Sequence, residues 1–241
     1  VYLVDQSLNL GQPAETVLRF DDRPPGDVNP VAPDGWISRD ELPLAQEIER
    51  AEPGGPSGIA GYALAVSDAG PIRPCGFEIC QGSEITLAGG ADQRIGSIGG
   101  LNEGSHWISA TAVSGAGRAS VEPGATVVQV DRTPPDSAIS GVPSGWVNHP
   151  VSLTVNAEDE LSGMYPQAGD DGEPETVIDV ENHSPYRSPG ADATFAVATE
   201  GVNRVRYWAE DLAGNANDGL RGPGNEPHPN PGQAVVRIDM T

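Results

Sequence analysis

Apolar residues occupy alternate positions in short runs along this chain. Val151, Leu153, Val155 and Ala157 are separated by Ser152, Thr154 and Asn156, a period of two that turns one face of a strand to a core and the other to solvent. Leu42, Leu44 and Ile48 follow a similar alternation. Residues 59–66 predict a central strand and 84–87 a shorter one, while 101–110 enter a further strand through a turn. In the later part of the chain 176–180, 193–197 and 202–209 are the corresponding segments. Gly, Pro, Asp and Asn punctuate the runs, as reversals between strands require.

The plan is written out twice. Asp22-Arg23-Pro24-Pro25 followed by Gly35-Trp36 returns as Arg132-Thr133-Pro134-Pro135 followed by Gly145-Trp146, both pairs displaced by 110 positions (24 to 134, 36 to 146). Ser57-Gly58 corresponds to Ser162-Gly163, and Glu103-Gly104, Ile108, Ala112 and Gly117 to Glu200-Gly201, Val205, Ala209 and Gly214. Each block closes on a similar strand, Val127 to Asp131 and Val235 to Asp239. A repeat of this length matches one β-sandwich of about 100 residues. The expected fold is therefore all-β, with two tandem immunoglobulin-like or fibronectin III-like sandwiches at 1–131 and 132–241. Thr133-Pro134-Pro135 lacks two amide donors and has restricted φ, so it reads as a stiff hinge. Residues 1–20 are read as extra N-terminal strands. Val1–Asp5 and Val17–Asp21 both resemble the closing strands that end in Asp, and they form either an edge hairpin on the first sandwich or the remnant of an upstream repeat. Trp36, Trp107, Trp146 and Trp208 are read as core or near-core aromatics, one pair to each core, with an aromatic platform for sugars as the competing reading.

Composition sharpens this picture. The 31 glycines and 23 prolines among 241 residues are roughly twice the usual share, which suits many turns and disfavours long helices. All 13 basic residues are arginine, and 35 acidic residues bring the net charge to −22. So acidic a body repels phosphate backbones and anionic headgroups, which argues against nucleic acid and membrane surfaces and leaves cations and neutral partners. No apolar stretch reaches the 18 or so residues of a membrane span. Cys75 and Cys80 lie close together without the two further ligands that zinc needs and without thioredoxin spacing. A local disulfide, hence an oxidising compartment outside the cytoplasm, is expected; free thiols are the alternative.

Residues 200–215, Glu-Gly-Val-Asn-Arg-Val-Arg-Tyr-Trp-Ala-Glu-Asp-Leu-Ala-Gly-Asn, resemble the E-G-x-H-x-V-x-x-x-A-x-D-x-A-G-N signature of bacterial immunoglobulin-like surface repeats. The first block departs from it, with Val113-Ser114-Gly115-Ala116-Gly117-Arg118 where the Asp and Asn would fall. Its Ser57-Gly58-Ile59-Ala60-Gly61-Tyr62 and Glu103-Gly104 are instead similar to fibronectin type III domains. The resemblance implies modules of extracellular or cell-surface proteins used for adhesion, spacing or display, and no catalytic residue. Fold analogy limits function only loosely.

The residues themselves offer little chemistry. There is no G-x-S-x-G, no H-E-x-x-H and no phosphate-binding glycine loop, and His106, His149, His183 and His228 lack ligand spacing. The chain is not expected to be an enzyme. If the sandwiches are joined end to end, Asp159 and Glu160, the hairpin carrying Asp211 and Asn215, and Asp131 beside the hinge converge at one pole. Clustered carboxylate and amide oxygens suit calcium; plain capping of turns is the competing reading. Residues 169–175 and 222–232 read as solvated excursions, and the sequon Asn182-His183-Ser184 carries little weight. The expected function is that of a structural or adhesive spacer, a monomeric segment of a longer secreted or surface protein, with an unidentified protein or glycan partner. The alternative is an accessory pair, binding carbohydrate or calcium, attached to an extracellular enzyme.

Overall fold

The computed structural model describes residues 4–12, 15–38, 41–42, 48–49, 51–74, 83–84, 98–164, 175–220 and 228–241. Every helix or strand among the described residues is a strand. The first half carries β1 (Asn29–Pro30), β2 (Trp36–Ile37), β3 (Glu41–Leu42), β4 (Ile48–Glu49), β5 (Ile59–Ser67), β6 (Ser83–Glu84), β7 (Ile98–Gly99), β8 (Gly104–Ser114) and β9 (Gly124–Val130). The second carries β10 (Asp136–Ser140), β11 (Trp146–Val147), β12 (Val151–Glu158), β13 (Glu175–Val180), β14 (Tyr186–Pro189), β15 (Asp192–Val197), β16 (Gly201–Ala209) and β17 (Gly232–Ile238).

The larger sheet has the same order in each half, β2-β9-β8-β5-β6 and β11-β17-β16-β13-β14. The smaller sheet of the second half is β10-β12-β15. In the first half β1 pairs with β4 and β3 with β7, so β3 and β4 together take the place of β12. Registers repeat as well. Gly104 stands opposite Val130 as Gly201 stands opposite Ile238. The short strands β2 and β11 run parallel to the closing strands β9 and β17. Beyond each closing strand, Asp131 N donates to Ile37 O at 2.9 Å and Asp239 N to Val147 O at 2.8 Å.

The cores follow from the alternation. On β12 Val151, Leu153, Val155 and Ala157 are all buried while their neighbours are not. Val151, Leu153 and Val155 meet Ile178, Val180, Val205, Val236 and Ile238 of the facing sheet. The first half packs Tyr62, Leu64, Ile108, Ala110, Ala112, Val128 and Val130 together. The two clusters share no residue. The outer face of β5 and β8 is covered too: Ala63, Ala65, Ser109, Thr111 and Val113 are buried. Ile72 N donates to Ser109 Oγ there.

Two expectations need correcting. No tryptophan belongs to either core: Trp146 is 59% exposed, and Trp36, Trp107 and Trp208 are half-buried. Period two explains Trp208, because Asn203, Val205 and Ala209 point inward on β16 and Trp208 falls on the other face, across from Val177. Branched aliphatic side chains fill the space between the sheets instead. Nor do the described residues among 4–20 add strands to the first half. Val4 and Leu10 form one isolated bridge, and 15–20 pair with nothing. The strand that 17–21 resemble, β9, already has β8 on one side and β2 on the other. Cys75 and Cys80 with their expected disulfide lie outside the described residues, as do 169–174 and 222–227 of the two predicted excursions.

Leu153→Ala is expected to cost about 2–5 kcal/mol in urea denaturation, since Leu153 is fully enclosed and truncation leaves a cavity. Trp146→Ala is expected to stay within about 0.5 kcal/mol, as exposed substitutions do.

Candidate metal centre at the junction

Three loops meet where the halves join. Asp131 follows β9 directly, Asp159 follows β12 and Asp211 opens the hairpin after β16. One carboxylate oxygen from each lies within 4.8 Å of the others. Two ligands on opposite sides of a calcium ion are separated by about 5 Å, twice the Ca–O distance, so the spacing accommodates one hard cation.

Each carboxylate is aimed by local bonds. Asp131 is fully buried; its Oδ1 accepts Thr133 N at 3.0 Å and its Oδ2 accepts Ser162 N at 2.9 Å. Asp159 Oδ1 accepts Leu161 N, Ser162 Oγ and Gly163 N. Asp211 Oδ1 accepts Ala213 N at 2.8 Å and Asn215 N at 2.9 Å, which closes the hairpin around it. Gly214 follows with φ 80°, a conformation that glycine adopts without steric cost.

Asn215 and Glu160 do not join the oxygen set. Asn215 Nδ2 donates to Asp131 O at 3.0 Å and to Asp211 Oδ2 at 2.9 Å, so its amide nitrogen faces the carboxylates and it positions them. Glu160 is exposed and lies outside the cluster, because Asp159 beside it is turned inward onto the amides of its own loop. Sequence reasoning missed Ser162 and Asn217. Asn217 Nδ2 donates to Pro135 O and Ser137 Oγ, while its Oδ1 accepts Ala209 N. Ser162 did carry a signal, being half of the repeated Ser-Gly pair.

Burial pushes the Asp211 carboxyl up to about 6 from its ordinary 3.8, and the charge of Asp131 adds to the push against the lowering effect of the Asn215 bonds. Such a displacement corresponds to about 3 kcal/mol between the two protonation states. The folded state holds this proton more tightly than the unfolded chain does. Its contribution to ion-free stability is therefore full below about pH 4 and lost as pH rises through about 6.

The first half builds the same junction with other residues. Asp21 Oδ1 accepts Arg23 N and its Oδ2 accepts Ser57 N at 2.9 Å, as Asp131 does with Thr133 and Ser162. Gly54, Ser114 and Arg118 stand where repeat spacing places Asp159, Asp211 and Asn215. Arg118 Nε donates to Asp22 O at 3.2 Å. Of the three carboxylate positions only that of Asp21 is kept, and the guanidinium of Arg118 bonds the backbone beside it.

The other polar groups are engaged elsewhere. A shallow hollow over β13, β16 and β17 is lined by Asp179, Glu181, Arg204 and Arg206, and these pair as Arg206 with Asp179 and Arg204 with Glu181. His106 is buried between Asp68 Oδ1 at 2.6 Å and Asn102 O at 2.7 Å. His228 sits 2.7 Å from Asp218 Oδ1.

Asp159→Asn keeps the Oδ1 that accepts all three loop bonds and removes one negative charge. Without added cation it is expected to raise the melting temperature at pH 7.5 and to do so less at pH 4.5, where Asp211 is protonated. A lower melting temperature at both pH values would mean that the carboxylates do not repel one another.

No family model matches the chain, and no curated protein matches it. Among solved structures, fibronectin(III)-like modules of Clostridium thermocellum CbhA match at 15% identity over 90% of this chain and 92% of that one, with a TM-score of 0.33. A likeness that distant assigns neither a family nor a function.

Proposed function

We propose that this chain is a non-catalytic stretch of a longer secreted or surface protein, in which two sandwich units, 1–131 and 132–241, act in series as a stiff spacer or adhesive stalk. The observation that carries the reading is a linker bonded from both sides. Toward the first unit, Glu103 Oε1 accepts Arg132 N at 2.9 Å and the Thr133 hydroxyl at 2.9 Å, and Arg132 donates to Leu101 O. Toward the second, Asn215 and Asn217 donate to the carbonyls of Asp131 and Pro135. A connection held in this way transmits orientation, which is what a stalk needs. The extracellular setting rests on the resemblance of the 200–215 hairpin to surface repeats.

Calcium fits the second part of the reading. An ion held by Asp131, Asp159 and Asp211 would join the linker to both loops of the second unit and relieve the mutual repulsion of buried carboxylates. After chelation, calorimetric titration with calcium is expected to give saturable binding that weakens as pH falls below about 6, because protons compete for Asp211. Asp159→Asn is expected to abolish it. No heat and no rise in melting temperature would remove the ion and leave the spacer, whose own check is small-angle scattering: a compact envelope in place of an elongated one would refute it.

A second reading has one observation behind it. Trp146 is a large exposed aromatic, the kind of surface on which a sugar ring stacks. Saturable binding on a glycan array, lost with Trp146→Ala, would favour a carbohydrate-binding accessory pair. Unchanged binding, or none, would count against it.

A further inference from the structure

Residues 4–10 reproduce, bond for bond, a hairpin found at the junction of the two halves. At 210–216 Glu210 and Ala216 form a bridge, Asp211 N donates to Asn215 O at 3.0 Å, and Gly214 N donates to Asp211 O at 3.2 Å. Asp211 Oδ1 accepts the amides of Ala213 and Asn215, and Asn215 Nδ2 donates to Asp211 Oδ2. At 4–10 Val4 and Leu10 form the bridge, Asp5 N donates to Asn9 O at 3.1 Å, and Leu8 N donates to Asp5 O at 3.0 Å. Asp5 Oδ1 accepts the amides of Ser7 and Asn9, and Asn9 Nδ2 donates to Asp5 Oδ2 at 2.8 Å. Leu8 has φ 65°, where Gly214 has 80° and Gly117, in the equivalent hairpin between β8 and β9, has 82°. A leucine rarely adopts that region. It does so here at the position where the other two hairpins use glycine.

The segments after the hairpins match too. Thr16-Val17-Leu18-Arg19-Phe20-Asp21 corresponds to Thr126-Val127-Val128-Gln129-Val130-Asp131, the end of β9, and the terminal Asp makes the same pair of bonds to its linker and to the next Ser-Gly loop. The contrast lies in burial. Val128 and Val130 are 2% and 0% exposed, whereas Leu18 and Phe20 are 89% and 84% exposed. The junction is complete on its downstream side and bare on its upstream side.

We infer that residues 4–20 are the last hairpin and closing strand of a third sandwich unit, and that the rest of that unit, carried on the same polypeptide ahead of residue 4, covers Leu18 and Phe20. Its penultimate strand pairs antiparallel with 16–20, as β8 does with β9. A short parallel strand on the other side accepts the Asp21 amide, as Ile37 O accepts Asp131 N. A second copy of this chain is not the occupant, because β9 and β17 already fill the corresponding slots between β8 and β2 and between β16 and β11. The inference rests on the reading of the chain as tandem units.

Hydrogen–deuterium exchange would test it on two polypeptides, the 241-residue chain and the same chain extended by the roughly 100 residues that precede it in its gene, the length of one sandwich. In the shorter chain the amides of 17–20 are expected to exchange as an unstructured peptide does, with β9 and β17 protected. In the longer one they are expected to slow by on the order of 100-fold or more, toward the rates of β9. Phe20→Asp is expected to leave melting of the shorter chain unchanged and to lower the melting of the extended one. Unprotected 17–20 in the extended polypeptide, a Phe20→Asp that destabilises the shorter chain by itself, or a gene with nothing ahead of Val1 would overturn the third unit. Protected β9 and β17 in that same experiment would leave the two-unit reading standing, and their loss would count against that reading instead.

Discussion

A carboxylate taken out of water has to be hydrogen-bonded, and Asp131 is fully buried at the point where the chain leaves one core and enters the next. Its amide is held by Ile37, its carbonyl by Asn215, and its two oxygens by Thr133 and Ser162. Those partners come from β2, the linker, the loop after β12 and the hairpin after β16. Shifting β9 by one residue would exchange Val128 and Val130 for Val127 and Gln129 at the core and would strand this carboxylate without partners. The register of the closing strand and the geometry of the junction are thus fixed by the same group.

That constraint meets a second one, charge. The loops that receive Asp131 bring Asp159 and Asp211 with them, in a chain that already carries a net charge of −22. The first half faces the same geometrical demand around Asp21 and has Gly54, Ser114 and Arg118 at the positions of Asp159, Asp211 and Asn215, so the three-carboxylate set does not recur there. One junction holds a single carboxylate of this set, and the other brings three together, with Asp211 raised chiefly by its burial and further by the charge of Asp131. The calcium proposed for this junction would add its own bonds to the hydrogen bonds that already hold the linker.

The proposed spacer needs little more than this. Each half closes its own sheets, the connection is bonded on both faces, and the charged side chains over β13 and β16 are paired with one another. The hairpin that seats Asp131 recurs at Asp5.

Much of this was legible from residue order. Period-two alternation located β12, because a half-buried strand has no other way to write itself; runs rich in apolar residues between turns located β5, β8, β13, β15 and β16, the repeat marked the closing strands, and Asp131, Asp159 and Asp211 were singled out because loops at one end of a sandwich must converge. Other features were not legible. The short parallel strands β2 and β11 have no periodicity to read, the edge strand β14 is half solvated, and the tryptophans were misplaced since amphipathic rings satisfy either face of a sheet. What the sequence determined by itself was local: where strands run, where they turn, and that the pattern repeats. Which face each tryptophan took, that Asn215 turned its nitrogen to the carboxylates while Glu160 turned away, and that Leu18 and Phe20 stayed bare were decided only in three dimensions, because burial and hydrogen-bond partnership depend on neighbours distant in the chain.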